Sequence, residues 1–202
     1  MVIRATPVEL EGRRVLLRPL ASHDFDGWRD VRRRCRDWLV KWEPRPAPGH
    51  PDPSEDRQAF AARCGARERE RQMGSGFGFG VFVDGRVAGE INLSSIQRGP
   101  FQNAYVGYWI DEAVAGQGYM PEAVVVVLRF AFEELNLHRV QIAIIPRNRP
   151  SRRVVEKLAL REEGTAERYL EINGVWEDHV RYAITAEEWA DRGPLLCDAW
   201  ID

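Results

Sequence analysis

Two glycines ahead of a helix carry the clearest chemistry in this chain. The stretch Tyr108-Trp109-Ile110-Asp111-Glu112-Ala113-Val114-Ala115-Gly116-Gln117-Gly118-Tyr119-Met120-Pro121-Glu122-Ala123 reads as strand, short turn and helix. Gly116 and Gly118 remove side chains where a ligand must approach the backbone. Pro121 suits the first turn of a helix, and the free N–H groups at a helix start form an anion site. A tight turn without a ligand is the plain alternative. No Gly-Lys-Ser/Thr follows, so the turn is not a Walker loop. With no third glycine and no early βαβ unit, it is not a dinucleotide fingerprint either. A second stretch, Ile142-Ala143-Ile144-Ile145-Pro146-Arg147-Asn148-Arg149-Pro150-Ser151, reads as strand, Pro-Xaa-Asn turn and helix, with Asn148 placed as a cap before Pro150. His23, His50, His138 and His179 are scattered and suggest no metal site. No Ser/His/Asp order can be picked out, and Gly-Xaa-Ser-Xaa-Gly does not occur.

The elements that must position these turns follow from hydrophobic spacing. Residues 14–18 read as a short strand closed by Pro19. Residues 23–42 have helical spacing, with Phe25, Trp28, Val31, Cys35, Trp38 and Leu39 mainly on one face. The segment 43–53 holds five prolines at near-alternate positions and cannot form helix or central sheet; it reads as a structured loop anchored by Trp38 and Trp42. Ser54 reads as the N-cap of a helix running to about Arg71. The alternation of Phe77, Phe79, Val81 and Val83 predicts a strand, Asp84-Gly85 a hairpin turn, and 87–96 the return strand. Further strands are expected at 105–111 and 140–145, helices at 120–135 and 151–158, and a last hairpin, 168–172 with 175–184, around Asn173-Gly174. The helix at 120–135 repeats Met120, Val124, Val127, Leu128, Ala131 and Leu135, so it packs on the sheet. The fold class is α/β (α+β) with a mixed sheet. One domain is expected over 1–202, with a core at about 14–184 and a C-terminal extension at 185–202.

The 202 residues are enough to bury about 70% of the unfolded chain's surface. A formal net charge of −2 argues against broad adhesion to nucleic acid. Lys41 and Lys157 are the only lysines beside many arginines, which reads first as compositional bias. Cys35, Cys64 and Cys197 are odd in number and widely spaced, pointing to reduced thiols rather than a disulfide framework or zinc site. The first seven residues lack the pattern of a secretory leader, and no apolar run approaches a membrane span. A cytoplasmic protein is expected, as monomer or homodimer.

On these two stretches the sequence resembles the GNAT N-acetyltransferases, and most closely the branch that acetylates N-termini of ribosomal proteins. The family carries Gln/Arg-Xaa-Xaa-Gly-Xaa-Gly/Ala before its central helix, matched here by Ala115-Gly116-Gln117-Gly118-Tyr119-Met120 with departures at Ala115 and Met120. The form Gly-Xaa-Gly-Tyr-Met-Xaa-Glu-Ala resembles the ribosomal-protein branch, where threonine is usual at Pro121. The resemblance spans roughly 14–184. It implies a GNAT fold, with helices flanking a mixed central sheet that splays between two parallel strands, here 105–111 and 140–145. It implies acetyl-CoA as co-substrate, and no metal is expected from the scattered histidines. The pantetheine would pair with backbone near Ile110, and the amides of Gly116, Gln117, Gly118, Tyr119 and Met120 would hold the pyrophosphate. Asn148 lies where the family reaches the cofactor with an asparagine. Arg147, Arg149, Arg152 and Arg153 are near enough to meet the 3′-phosphate; solvated surface is the other reading of most of them.

Attack on a thioester needs a neutral amine. An α-amino group, with a pKa near 8, needs less help than a lysine. Glu90, Asp111 and Glu112 are the candidate bases, Glu90 first because it sits in a strand otherwise apolar at Ile91 and Leu93; solvated turn charge is the other reading of Glu112. An amide near Ile110 would serve the oxyanion. The family's tyrosine acid, seven residues after the asparagine, is replaced by Val155. The ribosomal branch instead has serine three residues after it, matched by Ser151, which can equally be a helix N-terminal residue; Tyr108 and Tyr119 are further donors. Trp38, Trp42 and Glu43, with the proline-rich loop, are expected to wall the acceptor site, with Glu55 and Asp56 drawing in an amine. The acceptor reading is a protein N-terminus, perhaps ribosomal; alternatives are a small amine and a non-catalytic acyl-CoA-binding module.

Overall fold

A computed structural model describes residues 8–45, 49 and 51–202. Eight strands form a single sheet in the order β1-β2-β3-β4-β5-β6-β8-β7. They are β1 (Leu10–Glu11), β2 (Val15–Arg18), β3 (Phe77–Val83), β4 (Arg86–Gln97), β5 (Asn103–Ile110), β6 (Arg139–Ile144), β7 (Arg161–Ile172) and β8 (Val175–Thr185). Every neighbouring pair is antiparallel except β5 and β6. The two-residue turns expected at Asp84-Gly85 and Asn173-Gly174 are present. Both residues of each have positive φ, the condition of the tight hairpin turn whose twist matches its strands.

The parallel pairing is short. Only Asn103↔Arg139, Ala104↔Val140 and Tyr105↔Gln141 are in register. Beyond them β5 stays paired with β4 as far as Ile110, and β6 stays paired with β8. The two strands therefore part and leave a wedge in the sheet. A buried amide pair sits at the vertex, Gln141 Nε2 donating to Asn103 Oδ1 at 2.7 Å.

Helices cover both faces. α1 (Phe25–Arg34) and α3 (Arg57–Met73) lie on the face of Glu90 and Trp109, where Phe25, Trp28 and Phe60 form a separate aromatic cluster. On the opposite face α4 (Tyr119–Arg129) is buried nearly all round, the signature of a helix inside the core. α5 (Arg149–Lys157) flanks it, and α6 (Ala186–Trp200) covers it.

The structure corrects several sequence expectations. The helix expected at 23–42 breaks at Cys35 into α1 and α2 (Arg36–Leu39), followed by a 3-10 turn at Val40–Trp42. Asp56, not Ser54, caps α3, accepting from the amides of Gln58 and Ala59, while Ser54 bonds the Asp52 carboxylate. α4 ends at Arg129, and Phe130–Glu134 widens to a π turn closed by Leu135 N–H to the Phe130 carbonyl at 3.1 Å. β7 begins at Arg161 rather than 168. The segment 185–202 is a packed helix, with Trp189, Cys197 and Ile201 in the main core and Trp189 stacked on Phe132. Of the proline-rich loop, Pro46, Ala47, Pro48 and His50 lie outside the described residues.

Candidate active site

The wedge between β5 and β6 opens into a cleft of about 780 Å³. Its lining joins the two chemical stretches to the tryptophan segment: Tyr108 and Ile110, the 114–121 turn, Asn148 and Ser151, and Trp38, Trp42 and Glu43. The cleft passes through the sheet. Register puts Asn92, Gly107 and Trp109 on the face of α1 and α3, and Tyr108 and Ile110 on the face of α4.

Strand chemistry fixes what β5 offers this gap. Asp111 N–H donates to the Ala88 carbonyl at 2.7 Å, and Arg139 N–H donates to that of Gln102 at 3.1 Å. Antiparallel alternation then turns the odd residues' backbone groups to β4 and those of Tyr108 and Ile110 to the open wedge. The Ile110 carbonyl already accepts from Trp38 Nε1 at 3.2 Å, and no β6 partner stands opposite its N–H.

The glycine turn has the geometry of an amide cradle. Gly116 and Gly118 have φ of 81° and 93°, a left-handed region that glycine enters without penalty. Gly118 is the N-cap of α4 and no side chain caps that helix, so the Tyr119 and Met120 amides lack an intrahelical acceptor. Gly116, Gly118, Tyr119 and Met120 line the cleft. The Gln117 side chain does not; its Nε2 donates to Ala113 O at 3.4 Å.

On the facing wall, Asn148 caps α5 through its side chain, which accepts from Ser151 N–H at 3.3 Å. Ser151 Oγ donates to Tyr108 Oη at 3.2 Å, and that phenol donates to the Ser151 carbonyl at 3.0 Å. Burial drives the Tyr108 phenol well above its ordinary value, with the Ser151 bond only partly opposing it. Val155 is fully buried in the core. Arg149, Arg153 and Lys157 line the cleft at helical spacing on α5, and no described acidic side chain pairs with them. Arg147 and Arg152 are engaged elsewhere, with Glu177 and with the Tyr182 hydroxyl.

The carboxylates separate sharply. Glu90 is 3% exposed, accepting from Trp28 Nε1 at 2.6 Å and Arg63 Nη2 at 2.5 Å. It lines not the cleft but a neighbouring cavity of about 50 Å³; Asn92 borders both. Asp111 is buried and bonded to Arg34, Cys35 Sγ and the Ala113 amide. Burial raises its carboxyl, but these donors outweigh it and hold the group below its ordinary value. Glu112 is exposed on the turn outside the cleft lining.

Trp38, Trp42 and Glu43 form the outer rim. The Glu43 carboxylate takes two bonds of 2.6 Å from Arg32, and its carbonyl accepts from Asn173 N–H at 2.9 Å, tying the rim to the β7–β8 turn. Arg147 lies 5.6 Å above the Trp42 ring. Glu55 pairs with Arg33 and Asp56 caps α3, and neither is among the residues that line the cleft. Sequence reasoning passed over Arg14 and Glu122, which meet behind the glycine turn. The signal was a lone carboxylate in an otherwise apolar helix.

Comparison with known proteins identifies the family and the fold. Residues 14–161 match the family described as an acetyltransferase (GNAT) domain. The "[Ribosomal protein uS5]-alanine N-acetyltransferase" of Escherichia coli is 34% identical over 171 residues, 83% of this chain and 86% of that protein. "Probable N-acetyltransferase YjcK" of Bacillus subtilis is 48% identical over 101 residues, 50% of this chain and 56% of that one, so the chain spans just over half that relative's length. Among solved structures, Mycobacterium smegmatis RimJ in complex with CoA-disulfide superposes with a TM-score of 0.85 at 30% identity, covering 96% of this chain and 93% of that one.

Proposed function

The chain belongs to the GNAT acetyltransferase family, and from that premise we propose that it moves the acetyl group of acetyl-CoA to the N-terminal amine of a protein. The observation that carries this reading is the cleft's passage through the sheet, with an amide cradle at one mouth and a tryptophan rim at the other. On this reading the pantetheine lies in the wedge against the backbone of Tyr108 and Ile110. The pyrophosphate rests on the amides of Gly116, Gly118, Tyr119 and Met120, where the helix dipole favours negative charge. Arg149, Arg153 and Lys157 meet the 3′-phosphate, and Asn148 holds the turn between them.

The acceptor enters from the opposite face. There Gly107 is exposed, with open space where a side chain would stand, room for an extended chain leading to the rim of Trp38, Trp42 and Glu43. The amine nitrogen attacks the thioester carbonyl carbon, and the Ile110 N–H stabilises the oxyanion. The carbon–sulfur bond breaks, and the departing thiolate is stabilised by a hydrogen bond from the Ser151 hydroxyl, turned from Tyr108, and takes its proton from water in the cleft. An α-amino group is about a tenth neutral at pH 7, so the demand on a base is small. Glu90 receives the amine's proton through water in the cavity it shares with Asn92. Glu112, exposed outside the cleft, is the weaker proposal for that role.

Similarity to ribosomal-protein acetyltransferases, including the Escherichia coli uS5-alanine enzyme, supports a ribosomal-protein N-terminus as acceptor. The test is thiol release from acetyl-CoA with a panel of ribosomal-protein N-terminal peptides and a panel of small amines. Saturable turnover with a peptide is expected. Turnover with small amines alone refutes the protein-acceptor reading, and cofactor binding without turnover on either panel refutes catalysis.

A further inference from the structure

Glu122 is 0% exposed and is the one charged residue of helix α4 before Arg129 at its end. A carboxylate in such a place is costly unless its oxygens are fully bonded. Its donors all come from one point of the chain, immediately before and at the start of β2: Arg14 N–H at 2.5 Å, Val15 N–H at 3.0 Å and Arg14 Nε at 2.9 Å. Space around it is exclusive, since a Cβ at Gly12 would stand 2.8 Å from Glu122 Oε1.

The Arg14 guanidinium, oriented by this carboxylate, reaches onward to the glycine turn. Nη1 donates to the Gln117 carbonyl at 3.1 Å, and the group lies 4.7 Å over the Tyr119 ring. Because a trans peptide points its C=O and the following N–H in opposite directions, fixing the Gln117 carbonyl on Arg14 aims the Gly118 N–H away from Arg14. Gly118 lines the cleft, Arg14 does not, and a Cβ at Gly118 would stand 3.1 Å from Arg14 Nη2.

We propose that Arg14, held by Glu122, is a positioning residue that presets the 116–120 amides for an anionic ligand from outside the cleft. The inference rests on the reading of this cleft as the acetyl-CoA site. It explains why a helix buried nearly all round carries one buried acid at its first turn. Arg14 touches no substrate on this account; it fixes a peptide plane.

The experiment compares CoA binding by calorimetry with kcat/KM on S-acetylpantetheine, which lacks the pyrophosphate. Arg14→Gln is expected to weaken CoA about tenfold and to leave the pantetheine substrate unchanged. It should fold, because Glu122 keeps the Arg14 and Val15 amides. Arg14→Lys keeps the charge but not the forked geometry and is expected to remain weakened. Gly12→Ala disturbs the Glu122 carboxylate from behind and should reproduce the loss if Arg14→Gln fails to fold. Wild-type CoA affinity in Arg14→Gln, equal losses on CoA and S-acetylpantetheine, or full recovery by lysine each overturns the inference alone. A wild type that binds no CoA overturns the reading of the cleft as well.

Discussion

Gly118 gives the sharpest test of the amide cradle. Its φ of 93° is closed to most side chains, and a Cβ there would lie 3.1 Å from Arg14 Nη2 and 3.6 Å from the Trp200 ring. Alanine should cost about 1 kcal/mol through the backbone alone. Asparagine tolerates the left-handed region better and adds no charge. Aspartate adds a carboxylate at the N-cap of α4, where it can bond the same amides as the phosphate and repel it as well. At roughly 5 Å and an effective dielectric of about 20–40, one like charge is worth about 2–3 kcal/mol. Arg14 offsets part of this. Gly118→Asp is therefore expected to weaken CoA about 10- to 100-fold relative to Gly118→Asn, with the gap narrowing at high salt. Isothermal calorimetry of both variants at two ionic strengths measures it. Wild-type affinity in both the asparagine and the aspartate variants would refute a pyrophosphate at this turn.

Ser151→Ala and Tyr108→Phe should each lower kcat about tenfold or more with little change in CoA affinity; full activity with a lower melting temperature would leave the pair a structural role only. Trp42→Ala should raise KM for a peptide acceptor several-fold while calorimetry shows unaltered CoA binding. Gly89→Ala should destabilise the fold by about 3 kcal/mol or more, because its Cβ would meet the Trp109 carbonyl oxygen at 2.3 Å; denaturant unfolding measures it. Asp111 titrates below its ordinary value in the folded chain, so its contribution is present above about pH 4 and lost as pH falls through the folded value. Asp111→Asn should flatten the acid limb of melting temperature against pH, and an unchanged limb would refute the assignment.

Local chemistry made much of the candidate cleft's lining legible. Asp84-Gly85 and Asn173-Gly174 demanded positive φ, and Gly116 and Gly118 ahead of an apolar helix marked the cradle; each signal lies within a few residues. The wedge was not legible from residue patterns, because it depends on where β5 and β6 stop pairing. The first half of β7 was missed because an exposed edge strand shows no alternation of apolar residues. α6 was missed although Thr185 and Glu188 form a reciprocal capping box; Gly193 and Pro194 interrupt its pattern. Glu90 stood out as an acid among Ile91 and Leu93, yet Trp28 and Arg63 reach it from helices distant in sequence. Ser54 lost the cap of α3 because the Asp52 side chain holds it in a turn of its own.

The burial of α4 on all sides has a consequence for how the chain is made. The helix that carries the cradle at its start is roofed by α6, which follows it by some 57 residues in the chain. Until Ala186–Trp200 emerges, the nascent chain holds a helix of valines and leucine with one side uncovered. Such a surface is a target for holdase chaperones and for self-association. The covering of the cradle helix thus waits on the synthesis of a later segment that contributes no residue to the cleft lining.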